Sequence, residues 1–343
     1  MARQETLPLR SRHCLAGCLL LLAGALPGLA AAGADPALRH PTTLRLAGPT
    51  AVVSFPLMHM VETGALHRRV DTLEFRLWRS PDQLRTMLLN DHIDVSAAPS
   101  NLPALLANRG QPARLLNVSV WGLLWLVSRD PAVHGFADLA GRELATPYQR
   151  DLPALLLQAL LQANKMEPGV DVTLRPTRDS NVGAALLLAG QVDQLLIAEP
   201  STSLLLWRQQ QSDDTRLAPL RRVQSLETAW RAAFPDQPEL PQAGLMAWGK
   251  LSDDTELARA IERAYAESAR WCSAHAEACA AIAHRYLPQF PVAALAESIR
   301  VTRLESVPAH RARPQLEALY RLLAKGNPQA IGGRLPAAEF YGP

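Results

Sequence analysis

The stretch LLLAGQVDQLLIAEP, residues 186–200, decides how the chain is organised. Its pattern predicts the end of an amphipathic helix, a turn at Gly190, a buried strand over 192–198 and a polar break at Glu199. The stretch LLNDHIDVSAAPS, residues 88–100, repeats this order earlier in the chain: two leucines, a turn, an aspartate, small apolar residues, a proline and a serine. The chain is therefore predicted to contain two similar lobes.

The strand in each copy, marked by Asp94 and by Asp193, ends in residues suited to a loop and to the start of another helix. In open α/β sheets, small ligands bind at the edge where strands end in this way. If the two strand ends face one another, a ligand lies between the lobes.

Length and composition fit a folded, two-domain protein. The chain has 343 residues, of which 48% are hydrophobic and 20% are charged, and these are ordinary globular values. A formal net charge of +3 with scattered Lys and Arg provides no concentrated basic face. No nucleic-acid partner is therefore predicted.

Residues 1–34 have the order of a secretory signal peptide. Three arginines among the first twelve residues precede an apolar run at 14–29, and small residues follow, so that cleavage after Ala32 or Ala34 is predicted. A membrane anchor is the alternative, but the run is short and contains glycine and proline. Lipidation at Cys18 is a second alternative, although the apolar run follows that cysteine rather than preceding it. The predicted location is the periplasm.

Strands and helices alternate along most of the remaining chain, which predicts an α/β protein. Ser80-Pro81 is typical of a helix start, with serine as the N-cap and proline at the first helical position. The predicted lobes are one over 42–128 and 249–343 and another over 129–248, joined by strands near 123–129 and 243–249.

In their order along the chain, these motifs resemble the nitrate/sulfonate/taurine type of periplasmic solute-binding protein, the binding subunit of an ABC importer. The resemblance rests on five weak motifs taken in order: Gly48-Pro49-Thr50, Ile93-Asp94, DLAG at 138–141, LAGQVD at 188–193 and Glu199-Pro200. It implies a two-lobed type II periplasmic-binding-protein fold with a double crossover, closing by a hinge around a small solute. It also implies no catalysis, no cofactor, a monomer, and an ABC permease with its ATPase at the inner membrane as partners.

Two alternatives use the same fold. One is a protein that binds the thiamine pyrimidine or a related enzyme, and the other is a periplasmic sensory or scaffold protein. The cysteine-rich motif of the pyrimidine-forming enzymes is absent, as are nucleophile-elbow, dinucleotide, P-loop and zinc-protease motifs. A non-enzymatic binding protein is therefore predicted.

Candidate ligand-binding residues are those at predicted strand ends and helix starts. In the first lobe they provide hydroxyls, an amide and apolar walls: Thr50, Ser54, Phe55, Ser100, Asn101 and Trp121. In the second lobe they are Tyr148, Gln149, Arg150 and Glu199.

Two of these candidates carry charge. Arg150 precedes a predicted helix whose N-cap is Asp151, where backbone N–H groups favour an anion such as sulfonate, carboxylate or phosphate. Glu199 follows a buried strand, so that its carboxylate can meet an amino group of a zwitterionic solute. The alternatives are a solvated arginine and a capping carboxylate.

Cys272 and Cys279 are the only cysteines after the predicted leader, and an oxidising compartment favours a disulfide between them. Such a bond requires the predicted helix to break near His275, because seven residues of unbroken α-helix rise about 10.5 Å. Free thiols and a zinc site completed by His284 are the alternatives. The Met-His-Met run at 58–60 is not favoured as a metal site, because consecutive helical residues point in different directions.

Overall fold

The structure is a computed structural model that describes residues 42–212 and 216–343. The predicted signal peptide at 1–34, with Cys18 and both cleavage sites, lies outside the described residues. Within the described ranges, no helix combines the length and the apolar character needed to cross a membrane.

The described residues form an α/β structure with two sheets. The strands are β1 (Thr43–Gly48), β2 (Thr72–Leu77), β3 (Val95–Pro99), β4 (Ala113–Leu115), β5 (Asn117–Gly122), β6 (Leu124–Ser128), β7 (Glu143–Thr146), β8 (Thr173–Pro176), β9 (Gln194–Ala198), β10 (Arg221–Ser225), β11 (Ala243–Trp248) and β12 (Arg303–Pro308). The helices are α1 (Phe55–Thr63), α2 (Pro81–Leu89), α3 (Asn101–Asn108), α4 (Leu152–Ala163), α5 (Ser180–Leu188), α6 (Ser201–Gln210), α7 (Leu226–Ala233), α8 (Thr255–Ala274), α9 (Ala276–Tyr286), α10 (Val292–Arg300) and α11 (Arg313–Gly326).

The two sheets share one plan. The first has the order β12-β5-β11-β3-β1-β2, with β4 also beside β11, and the second has the order β10-β6-β9-β7-β8. In each sheet three parallel strands (β2-β1-β3 and β8-β7-β9) are followed by an antiparallel strand. That strand is β11 in the first sheet and β6 in the second, and each comes from the far side of a chain crossing.

Sheet membership defines two lobes: the first lobe is 42–122 with 243–343, and the second lobe is the described part of 124–233. The chain crosses at Leu123 and returns through 234–242, and we call these the crossing segments. The predicted bounds at 128 and 248 thus place β6 and β11 in the wrong sheet. No polar break marks the first crossing, because nearly every residue of β5 and β6 is buried on both sides of Leu123.

Local sequence signals form several elements as predicted. The Ser80 side chain accepts a hydrogen bond from the Gln83 N–H and so caps α2, with Pro81 in its first turn. The predicted break in the long C-terminal helix also occurs, since α8 ends at Ala274 and α9 begins at Ala276.

Two large apolar cores hold the lobes. One packs α1, α8 and α9 against the first sheet. The other contains Trp121 of β5, Leu126 of β6 and Tyr320 of α11, so it joins residues of both lobes. We call it the shared core. In the first sheet, β11 lies so close to the start of β5 that a Cβ at Gly244 would overlap the carbonyl oxygen of Asn117.

Candidate functional site

The carboxyl ends of the central strands from both sheets meet at the crossing segments. In the first lobe, the Ser100 N–H donates to the Gln242 carbonyl (3.0 Å) and its hydroxyl donates to the Pro241 carbonyl (2.6 Å). The Gln242 side-chain oxygen accepts from the Leu123 N–H (3.0 Å), and the Leu123 carbonyl accepts from the Glu199 N–H (2.9 Å). Hydrogen bonds therefore connect the end of β3 to the end of β9 through both crossing segments.

This arrangement places the loops after the parallel strands of the two lobes at one junction. Parallel pairing aligns β1 with β3, and β7 with β9, so that the carboxyl ends of each pair point to the same edge of their sheet. The carboxyl edge of an open α/β sheet is where ligands bind, and here two such edges meet. We take this junction as the candidate site.

The two aspartates that mark the sequence repeat lie elsewhere. Asp94 precedes β3 and accepts from the Arg45 N–H (2.8 Å), Nε (3.0 Å) and Nη2 (2.7 Å), while Asp193 precedes β9 and lies 3.7 Å from Arg129 Nε. Both are at the amino ends of their strands. The repeat thus predicts the matching architecture, but its carboxylates pair with arginines at the edge opposite the junction.

A cavity of about 410 Å³ also lies at the amino edge of the second sheet, lined by Asp130, Arg142, Glu143 and residues 190–194. Arg142 and Asp130 form an ion pair across it at 3.1 Å. Its position separates it from the junction.

The first predicted group of ligand contacts belongs mostly to the core. Ser54 is fully buried against Gly48, and its hydroxyl donates to the Pro49 carbonyl (2.7 Å). Phe55 is fully buried among the apolar residues of the first lobe. Only Thr50 of this group keeps partial exposure. Tight packing of the first helical turn onto β1 is the reason.

Ser100, Asn101 and Trp121 are also buried and have partners within the chain. The Asn101 amide donates to the Ala330 carbonyl (3.0 Å), and the Trp121 indole N–H donates to the Glu305 carbonyl (2.9 Å). The Asn101 and Trp121 side chains thus bond the C-terminal region to the first lobe, whereas the Ser100 hydroxyl bonds to Pro241 of the return crossing.

The loop after β7 carries the second-lobe candidates. The Tyr148 hydroxyl accepts from the Ala198 N–H (3.1 Å) and so joins this loop to the end of β9. Burial, with the nearby Asp151 carboxylate, raises the pKa of Tyr148. Gln149 and Arg150 are exposed, and Arg150 has no ion-pair partner among the described residues.

The N-terminus of α4 already holds a carboxylate of the chain. Asp151 is the N-cap residue, but its side chain does not make the capping hydrogen bond, and its Oδ1 is buried with no partner in the described structure. Burial raises the pKa of Asp151, opposed by the backbone N–H groups of Asp151 and Ala154. An anion at this helix start would therefore meet a carboxylate.

Glu199 stands at the end of β9, as predicted, but it is fully buried and fully used. Its carboxylate accepts from the Ser203 N–H (3.0 Å) and hydroxyl (2.7 Å), and from Arg222 Nε (3.2 Å) and Nη2 (3.0 Å). Burial raises the pKa of Glu199, and the charge of Arg222 opposes that rise. The structure thus uses this carboxylate to bind Arg222 rather than leaving it open to a solute.

Arg222 belongs to none of the sequence motifs that predict ligand contacts. It lies on β10, and its Nη1 also contacts Glu297 of α10 at 3.3 Å, so that it links the second lobe to the first. Ser225 is a usable signal, because it caps α7 by accepting from the Thr228 N–H and so indicates that a helix starts directly after the stretch that holds Arg222. A second bridge between the lobes comes from Arg303 on β12, which contacts Glu227 of α7 at 3.2 Å.

The sulfur and histidine residues form structural contacts. Cys272 and Cys279 are joined in a disulfide with a Cα separation of 5.1 Å. His275 Nδ1 lies 3.0 Å from the Trp271 carbonyl, and His284 Nδ1 lies 2.8 Å from the Phe290 carbonyl. Both imidazoles are thus committed away from the cysteines.

The Met-His-Met run has no converging ligands. Met58 and Met60 are fully buried in the core, while His59 Nδ1 lies 2.9 Å from the Ser268 hydroxyl and its ring stacks on Trp271 with centroids 4.1 Å apart. Burial lowers the pKa of His59. In 42–212 and 216–343, no group of three His, Cys, Asp or Glu residues is arranged to hold a metal ion.

Comparison with known proteins gives structural matches only. No protein-family model matches the sequence, and no curated protein sequence matches it. Among solved structures, an ABC transporter protein from Parabacteroides distasonis is similar with a TM-score of 0.72 and 20% identity, covering 88% of this chain and 99% of that one.

Two other similar structures have titles that give a ligand. The periplasmic aliphatic sulphonate-binding protein SsuA from Escherichia coli has a TM-score of 0.63 and 14% identity, over 86% of this chain and 92% of that chain. The periplasmic nitrate-binding protein NrtA from Synechocystis PCC 6803 has a TM-score of 0.62 and 16% identity, over 87% and 83%. The predicted resemblance is confirmed at the level of the fold: the chain has the two-lobed α/β fold of the periplasmic solute-binding proteins of ABC importers.

Proposed function

We propose that this protein is the extracytoplasmic solute-binding subunit of an ABC importer. It holds one small polar solute between the lobes, at the junction of the two carboxyl edges, and delivers it to a membrane permease served by an ATPase. The predicted leader sends it to the periplasm, where it acts as a monomer. The observation that carries this proposal is the hydrogen-bonded path from Ser100 through Gln242 and Leu123 to Glu199.

The polar groups at the junction support binding rather than turnover. The hydroxyls of Ser54 and Ser100 donate to backbone carbonyls, and that of Ser203 donates to the Glu199 carboxylate. A catalytic hydroxyl is instead activated by an adjacent general base, which has to be free to take its proton. Glu199 is held by Arg222 and is not free in this sense.

The proposed solute is a sulfonate, a carboxylate or a similar anion or zwitterion. Arg150 supports this class, because its guanidinium is exposed beside the junction loop and is not neutralised by an ion pair with a described carboxylate. Asp151, with its unpartnered oxygen, would receive an amino group if the solute carries one. The Glu199 carboxylate plays the supporting part of holding β9, α6 and β10 together.

The test is calorimetric titration of the exported protein with ethanesulfonate, 2-aminoethanesulfonate and nitrate, together with mass spectrometry of solute released on denaturation. Arg150→Ala should weaken binding of the anion by about 10- to 150-fold, because one charge-assisted hydrogen bond is lost. The matched control is Arg109→Ala, another exposed arginine, at the end of α3. Equal losses for both variants would remove Arg150 from the site, and turnover of a bound solute would reject the binding-protein function.

A further inference from the structure

Gln242 lies where the chain returns from the second lobe to the first, and only 3% of its surface is exposed. Its N–H donates to the Val120 carbonyl (3.0 Å), and its carbonyl accepts from the Ser100 N–H (3.0 Å). Its side-chain Oε1 accepts from the Leu123 N–H (3.0 Å). Three of its four polar groups thus tie the two crossing segments and the end of β3 together.

The fourth group, the side-chain Nε2, is buried and has no hydrogen-bond partner within the described residues. The contact of Oε1 with a backbone N–H fixes which end of the amide carries the nitrogen. Nε2 can therefore only donate. Buried donors in folded proteins are paired with an acceptor in nearly all cases, so this N–H group requires one.

The neighbouring polar groups do not provide that acceptor. The Ser100 hydroxyl donates to the Pro241 carbonyl and makes no hydrogen bond with Nε2, and the Glu199 carboxylate already accepts from Ser203 and Arg222. Arg222 also balances the charge of Glu199. The Glu199 carboxylate therefore does not repel an anion near the Gln242 amide.

We infer that the Gln242 amide donates to an oxygen of the bound solute, and that this solute is an oxyanion of the sulfonate, carboxylate or nitrate class. This inference rests on the proposed function and adds a specificity-determining residue to the site. Hydrogen bonds to an ionised acceptor are stronger than those to a neutral one, so the amide favours an acid-bearing solute over its neutral analogue. Since the amide is bonded to both crossing segments, such a contact couples the solute to the hinge.

Gln242→Glu is the informative substitution. The glutamate keeps an oxygen for the Leu123 N–H but replaces the donor by a second oxygen that cannot donate when ionised. Gln242→Met is the backup variant, with similar length and no charge. Gln237→Glu is the matched control, because Gln237 is an exposed glutamine at the start of the same crossing segment.

The experiment is calorimetric titration of the four proteins with ethanesulfonate, 2-aminoethanesulfonate and nitrate, with thermal unfolding of each unliganded protein measured in parallel. Both Gln242 variants should bind at least about tenfold more weakly than wild type, since a hydrogen bond to a charged group is lost. Gln237→Glu should stay within about twofold, as expected for an exposed charge change.

Wild-type affinity in a folded Gln242→Glu or Gln242→Met variant would overturn the inference while leaving the proposed function intact, and would mean that Nε2 holds only a water. Failure of wild type to bind any of the three probes would instead count against the proposed function, and the inference would fall with it. If Gln242→Glu does not fold, the affinity of Gln242→Met decides.

Discussion

Replacing Arg222 by methionine should destabilise the protein by about 3–5 kcal/mol, the usual result of removing one partner from a buried ion pair. Arg222 supplies two hydrogen bonds to Glu199, from Nε at 3.2 Å and Nη2 at 3.0 Å. Glu199 is fully buried, so water cannot take over these bonds. Ser203 would still donate twice, but a hydroxyl and an amide do not neutralise the charge.

The loss should appear as a fall in the midpoint of thermal unfolding of roughly 6–20 °C, given about 2–4 °C per kcal/mol for proteins approaching this size. Urea unfolding followed by circular dichroism gives the free energy directly if the transition is two-state. The control is Arg231→Met, because Arg231 is exposed and pairs with Glu227 on the same helix. That variant should lose less than about 1 kcal/mol.

The double variant Glu199→Gln/Arg222→Met separates charge from packing. It removes the buried charge together with its partner, so it should recover most of the stability that Arg222→Met loses. A double variant no more stable than Arg222→Met, or equal losses for Arg222→Met and Arg231→Met, would refute the reasoning.

The pH dependence provides an independent check. Burial raises the pKa of Glu199 against the pull of Arg222, and removal of that pull should raise it further. A carboxyl whose folded pKa lies above its unfolded value of about 4.3 stabilises the fold below that value and loses this contribution as pH rises through the folded pKa. The deficit of Arg222→Met relative to wild type should therefore be smaller near about pH 5 than near about pH 7.5.

Two further predictions concern the first lobe. Replacing Cys272 and Cys279 by alanine should lower the free energy of unfolding by about 2–3 kcal/mol, because the disulfide closes a short loop, and wild type treated with reductant should show the same loss in thermal unfolding. Gly244→Ala should destabilise by more than about 2 kcal/mol, because its Cβ would strike the backbone of the neighbouring segment. If Gly244→Ala has the same free energy of unfolding in urea as wild type, β11 can shift at little cost and the prediction is wrong.

Local signals account for the parts of the fold that were predicted correctly. The cap at Ser80 and the alternation of strands and helices depend on residues within a few positions of one another, so the sequence pattern predicts them. The helix break at His275 is equally local.

The crossing at Leu123 depends on tertiary structure and leaves no local mark. Strands β5 and β6 form one apolar run in the sequence, yet they belong to different sheets. A chain that crosses between two lobes inside a buried region has no need of polar or glycine-rich residues there, so the usual boundary signal is missing.

The candidate site shows the same division between local and long-range information. The position of Glu199 at a strand end was predicted, but its role depends on Arg222, 23 residues later in the chain. Phe55 and Trp121 were predicted as ligand walls because aromatic residues near strand ends suit both uses, and packing assigned them to the core. Gln242 lies in no recognisable sequence motif, and only the contacts of its side-chain amide in the structure identify it as a candidate site residue.

The shared core has a consequence for any attempt to divide the molecule into fragments. A piece containing only the second lobe would expose Leu126 and its neighbours, while a piece containing only the first would expose Trp121 and Tyr320. Each piece would present apolar surface to water and so tend to aggregate. The two lobes thus have separate sheets but form one folding unit. A split or permuted version of this protein has to contain the shared-core residues of both lobes, in one chain or in two fragments produced together.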